Sequence, residues 1–125
     1  MVRGAMIFAA VAGPVQAAEP LACAFTQECV GAGDCVADDP ISMDFRQQGD
    51  GWVMQGAEGT AISFTKLAEK SGGMRSFLAE NPDPAAAVVS ILSIFEDGQA
   101  FLSTHGIFLT PGFVTHIGTC VQKDT

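Results

Sequence analysis

Short apolar runs, cut by glycine and proline, fill most of the chain after Ile41. One run alternates clearly, because the apolar residues Ile62 and Phe64 alternate with the polar residues Ser63 and Thr65. Alternation places side chains on opposite faces of a strand, and many short runs with turn residues between them are typical of antiparallel sheets. The pattern therefore predicts an all-β domain, either a small antiparallel barrel or a sandwich, with about seven to eight strands.

An Asp-Gly pair follows the most β-branched of these runs. Asp97-Gly98 suits a two-residue type I′ turn, because both central residues of that turn need positive φ. The register predicted from such a turn pairs Phe95 with Ala100 and, further along, Leu92 with Ser103. A hairpin is predicted here on local grounds alone.

Two other segments carry strand and turn signals. Gly49-Asp50-Gly51 separates two apolar runs and predicts a second hairpin. Thr110-Pro111-Gly112 is expected to turn the chain into a last strand over residues 113–121. One face of that strand carries Phe113, Thr115, Ile117 and Thr119, and the other carries Val114, His116, Gly118 and Cys120.

The first 17 residues have the composition of a signal peptide. Arg3 precedes an apolar run that ends before Pro14, and Ala17 provides the small residue needed for cleavage. The run is shorter than the roughly 20 residues that a membrane-spanning helix needs. We therefore expect an exported protein, periplasmic or secreted, with no membrane span and with residues 18–125 as a single mature domain.

The charge of the chain is strongly acidic, at −8 for the 125 residues. Loss of Arg3 with the leader would make it more negative still. An acidic surface repels phosphate backbones and anionic lipid, so nucleic acid is not an expected partner. It would suit a cationic partner, although acidity also serves solubility.

Four cysteines in an exported chain indicate disulfides, and four cysteines allow three pairings. Gly31 and Gly33 let a short loop close between Cys29 and Cys35, which leaves Cys23 to pair with Cys120. This is the preferred connectivity, with residues 21–40 as a disulfide-pinned entry segment. The spacing fits neither a zinc site nor a Cys-x-x-Cys redox motif, so no metal is predicted.

Catalytic motifs are absent from the sequence. There is no nucleophile elbow, no His-Glu-x-x-His and no phosphate-binding glycine loop, so no catalytic residue, no cofactor and no enzymatic activity are predicted. His105 and His116 are the only histidines. The alternative hypothesis is a hydrolase or metal-binding protein that uses these two imidazoles on neighbouring strands.

One glycine-rich segment is a candidate interaction loop, comprising Ser71, Gly72, Gly73 and Arg75. Loops on a rigid β scaffold often carry binding residues. Trp52, the single indole, is expected in the core. The apolar residues suffice for a core of this size without a surplus to line a cavity, so we expect a monomer that binds a protein partner rather than a small ligand.

Several motifs resemble those of a group of small exported alphaproteobacterial proteins with no assigned activity. The resemblance includes residues 97–100, residues 103–105, the C-terminal stretch 115–120 that ends in Gly-x-Cys, and the cysteine-rich N-terminal segment. It implies export and disulfide bonds.

The chain is also similar, in two short pieces, to periplasmic inhibitors of c-type lysozyme. These are small disulfide-bearing β-barrels that insert a Ser-Gly loop into the lysozyme cleft. Ser71-Gly72 and residues 52–56 resemble parts of that pattern, here in the reverse order and without its tyrosine. The similarity implies a barrel fold and lysozyme as an alternative partner for the acidic surface.

Overall fold

The computed structural model describes residues 20–56, 59, 61–68, 72–81, 87–107 and 112–123, and the predicted signal peptide lies outside them. Within these residues the chain forms eight strands and no helix. They are β1 Leu21–Val30, β2 Cys35–Gln48, β3 Gly51–Gly56, β4 Ala61–Lys66, β5 Arg75–Asn81, β6 Val88–Ile94, β7 Gln99–Gly106 and β8 Phe113–Gln122. A search of the same residues for a helix able to cross a membrane finds none.

The eight strands form a closed antiparallel barrel. Each strand pairs with the next along the chain, and β8 pairs back to β1. Closure removes the two exposed edges that an open sheet would leave, which is one way that small β-domains avoid edge-to-edge association. The all-β class is confirmed, and the architecture is a barrel rather than a sandwich.

The predicted entry segment is part of the barrel wall. Leu21, Cys23 and Phe25 alternate along β1 and are buried, because they face the barrel interior. Strand β1 pairs with β2 on one side and with β8 on the other, and its register shifts between Phe25 and Gln27. Residues 21–40 therefore contribute β1 and the first part of β2.

A cluster of aromatic side chains fills the interior. The Phe45 ring stacks on Trp52 with centroids 4.9 Å apart and meets Phe77 edge-on at 4.8 Å. Trp52 is only 4 % exposed, which confirms its predicted place in the core. Full burial of a side chain of this kind contributes roughly 1.5–3 kcal/mol, so this cluster is a major source of stability.

The hairpin at Gly49 and Asp50 is confirmed, because Gln48 pairs with Gly51 and leaves a two-residue turn. The register predicted around Asp97-Gly98 is wrong by one residue. Ile94 pairs with Ala100, and Leu92 pairs with Leu102. The Phe95 amide donates to the Gln99 carbonyl, and the three residues between them form a loop in which Gly98 has a φ of 95°.

The physical reason for this register lies in the core. A shift of one residue exchanges the two faces of a strand relative to its neighbour. The observed pairing puts Leu92 and Leu102 side by side in the interior, whereas the predicted one would have set Leu92 against Ser103. Within the loop, the Gln99 amide donates to the Asp97 carboxylate at 2.9 Å. Core packing thus outweighed the local preference of the Asp-Gly pair.

Strands β1 and β8 approach each other unusually closely at Gly118. A Cβ atom at this position would overlap the backbone carbonyl of Ala24. Phe25 is the ladder partner of Gly118, at the point where the register of β1 shifts. Only glycine fits here, so the junction that closes the barrel requires Gly118.

Candidate functional site

The four cysteines form the two predicted disulfides. Cys23 bonds to Cys120 across the β1–β8 ladder, over a sequence separation of 97. Cys29 bonds to Cys35 and closes the β1–β2 hairpin, and none of the four is free. The first disulfide reinforces the junction between the first and last strands, so the cysteines have a structural role.

The two histidines lie on opposite faces of the sheet. His105 is exposed on the outer face of β7, where its ring stacks on Phe113 with centroids 5.2 Å apart. His116 is on the inner face of β8, where Nε2 lies 3.5 Å from Oε2 of Glu28. The two imidazoles therefore do not converge on one site. Among the described residues, no group of three or more His, Cys, Asp and Glu side chains could hold a metal ion.

His116 does have an unusual environment. Its Nδ1 atom is buried without a hydrogen-bond partner among the described residues, and its ring meets Phe25 edge-on at 6.4 Å. Glu28 is its direct ladder partner on β1. The pair forms a polar spot inside the barrel that the sequence did not indicate.

The candidate interaction loop joins β4 to β5. Ser71 lies outside the described residues, whereas Gly72 and Gly73 are exposed, with φ values of 96° and 80°. A Cβ at Gly73 would come within 2.5 Å of the Glu96 carboxylate, so this glycine is constrained by the neighbouring β6–β7 turn. Arg75 begins β5 and is partly buried.

The two ends of the barrel differ. We call the end that carries Leu21 and Gln122 the closed end, and the end that carries Val30 and Phe113 the open end. The interior near the open end contains Ser90, whose hydroxyl lies 3.1 Å from that of Thr104. This pair of hydroxyl groups makes the interior polar at this position.

A gap in the wall leads into this polar part of the interior. Strands β4 and β5 are joined by only two ladder pairs, Thr65 with Leu78 and Lys66 with Phe77. Beyond them the strands separate around a cavity of about 430 Å³. We call this feature the split seam; its walls are residues 61–63 of β4 and 79–81 of β5, and Ser90 and Thr104 lie at its inner side.

The outer surface is also asymmetric. Six apolar side chains lie on the outer face of β6, β7 and β8, interspersed with Ser93, Ser103 and Thr115. Two of the six, Val89 and Ile91, are 37 % and 40 % exposed. We call this surface the apolar face, and its members are Val89, Ile91, Phe95, Phe101, Phe113 and Ile117. On the opposite side of the barrel, the outer face of β2 and β3 carries polar groups such as Arg46, which donates to Gln55 at 3.2 Å.

Sequence reasoning missed both surfaces. Both faces of β6 are largely apolar, so its sequence pattern could not tell the inner face from the outer one. The split seam depends on a ladder that stops early, for which the sequence carries no signal. No protein-family model, no curated protein and no solved structure matches the chain.

Proposed function

We propose that the protein is an exported, non-catalytic interaction domain that binds another protein through the apolar face, in the periplasm or after secretion. The observation that carries the proposal is the exposure of Val89, Ile91 and Phe95, each between 37 % and 40 % exposed on one side of the barrel. A group of exposed apolar side chains on one side of a domain is a candidate interaction site.

Aromatic side chains strengthen this interpretation. Phe95 and Phe101 lie edge to face with ring centroids 5.7 Å apart, and Phe101 is the ladder partner of Ile117. Aromatic anchors of this kind dominate the binding energy of protein interfaces. The net charge of −8 favours a partner with basic residues around its contact surface.

Affinity capture from periplasmic extract, with the oxidised mature domain as bait, tests the proposal. Ile91→Thr combined with Phe101→Thr should weaken binding of the captured partner about tenfold or more, because both changes remove apolar contact area. Val53→Thr is the matched control, since Val53 is a partly buried apolar residue on the polar outer side. Titration calorimetry with the purified partner measures the change.

Two results would contradict the proposal. One is a partner that binds the double variant as tightly as it binds the wild type. The other is a hydrolytic activity that His105→Ala or His116→Ala removes while the circular dichroism spectrum stays unchanged, because this would establish an enzyme.

A lysozyme inhibitor is the second candidate. It is favoured by the small disulfide-bonded barrel and by the exposure of Gly72 and Gly73 in the β4–β5 loop. Such an inhibitor should block c-type lysozyme at micromolar concentration and lose potency on Ser71→Ala. Full lysozyme activity in the presence of the wild-type domain would exclude it.

A further inference from the structure

The ladder between β4 and β5 ends where both strands still continue. Extending its register would pair Phe64 with Ala79 and Ser63 with Glu80, and neither pair forms. The neighbouring ladders continue through the same stretch: Ser63 pairs with Val53 of β3, and Glu80 pairs with Val89 of β6. Residues 61–63 and 79–80 therefore keep their extended form and, within the part of the chain that the structure describes, have no β4–β5 ladder partner on the side that faces the split seam.

An unpaired strand edge has a specific chemistry. It presents backbone N–H and C=O groups in the spacing of a β-ladder, and the group that matches this spacing is another extended backbone. Proteins that bind extended peptides add them to such edges, where main-chain hydrogen bonds provide affinity and alternate side chains provide specificity. Residues 61–63 and 79–80 thus offer two such edges on either side of one opening.

The lining of the cavity indicates which side chains would fit. An inward-pointing residue of an added strand would lie near Ile62 and Ala79, with the Ser90 and Thr104 hydroxyls beyond them. This part of the cavity accommodates a small apolar side chain. An outward-pointing residue would lie near Glu80, which is exposed at the rim and favours a basic side chain.

We propose that the split seam between β4 and β5 is a binding site for an extended peptide segment with alternating small apolar and basic residues. The segment adds as a strand to the edge of β4, of β5 or of both. This proposal rests on the proposed function in protein binding, but the split seam lies on different strands from the apolar face. The two can therefore be tested separately.

A synthetic probe tests the proposal directly. The probe is an acetylated and amidated heptapeptide of alternating lysine and valine, titrated into the oxidised mature domain and followed by amide NMR. Binding should shift the amide signals of residues 61–63 and 79–80 and slow their hydrogen exchange. Two control peptides carry the same side chains, one N-methylated at the valines and the other at the lysines. At least one should fail to bind, because methylation removes the ladder donors.

Variants separate the seam from general charge attraction. Glu80→Lys should weaken probe binding by about fivefold, in line with the energy of an exposed ion pair. Asp50→Lys is the matched control: Asp50 is equally an exposed acid, but it lies in the β2–β3 turn at the closed end, so the variant should bind as the wild type does. Ile91→Thr should also leave probe binding unchanged, since Ile91 belongs to the apolar face.

Several outcomes would overturn the proposal. The first is that the probe does not bind. The second is that both methylated peptides bind as well as the probe does. The third is that the amide signals shift only on the apolar face. Seam amides that are already protected from exchange in the free protein would also refute it, because another part of the chain would then occupy the edges. If the seam binds no peptide but the apolar face still binds its partner, the proposed function is unaffected.

Discussion

The closed and open ends of the barrel are built from the same eight strands and have opposite interiors. At the closed end Phe45, Phe77 and Leu92 are all 0 % exposed and pack against one another. At the open end the corresponding inner positions carry Ser90 and Thr104, beside a cavity of about 430 Å³. The strand framework is common to both, so the inner side chains decide which end is filled and which is accessible.

This difference has a consequence for local stability. Buried aromatic rings contribute free energy through apolar area, whereas a pair of hydroxyl groups contributes about 1 kcal/mol net, because water competes for the same hydrogen bonds. Regions with few buried apolar contacts open at lower free energy than the global unfolding of the domain. We therefore expect the open end to unfold locally first, and its backbone amides to exchange hydrogen fastest. An edge that binds a peptide requires this behaviour.

The disulfides provide the largest test of this comparison, because one joins β1 to β8 near the closed end and the other closes the hairpin at the open end. Replacing Cys23 and Cys120 together by alanine should lower the free energy of unfolding by about 4–5 kcal/mol, since the two cysteines are 97 residues apart in the chain. Replacing Cys29 and Cys35 should cost about half as much, because the sequence separation is 6.

Urea unfolding under non-reducing conditions measures both losses. Equal losses in the two double variants would show that loop length does not control the contribution of the bonds, and that the hairpin at the open end matters as much as the β1–β8 junction.

A pair of substitutions on one strand gives the next largest effect. Leu92→Ala should destabilise the domain by about 2–5 kcal/mol, because it leaves a cavity in the closed end. Ser90→Ala, two positions away on the same inner face of β6, should cost about 1 kcal/mol through the lost contact with Thr104. Thermal and urea unfolding of both variants provide the measurement, and a Ser90→Ala loss as large as that of Leu92→Ala would refute the contrast.

The smallest effect is expected from the ion pair between Lys123, just after β8, and Asp44 of β2. Lys123 Nζ lies 3.0 Å from Asp44 Oδ2, with both side chains 47 % exposed. Because water and salt screen such a pair, Lys123→Ala should lower the free energy of unfolding by less than about 1 kcal/mol. A larger loss, persisting in high salt, would show that charge as well as apolar packing holds the closed end together.

Local patterns predicted much of the fold and little of the candidate sites. The alternation at Ile62 and Phe64 located β4, and the glycines around Asp50 located a two-residue turn. The Asp97-Gly98 turn was located but its register was not, because long-range packing of Leu92 against Leu102 outweighed the turn preference. The alternative hypothesis of a shared histidine site rested on neighbouring strands, yet an odd ladder offset places His105 and His116 on opposite faces.

The sequence by itself determined most strand-forming segments after Ile41, the acidic charge and the preferred disulfide pairing, because these depend on local periodicity, composition and loop length. Closure into a barrel, the split seam and the apolar face were decided only by the tertiary structure. Each depends on which strand edges meet and on which face of a strand turns inward, and these are set by packing between residues far apart in the chain. Strand β6 shows the reason, since Ile91 and Leu92 are both apolar, yet Ile91 is 40 % exposed and Leu92 is fully buried.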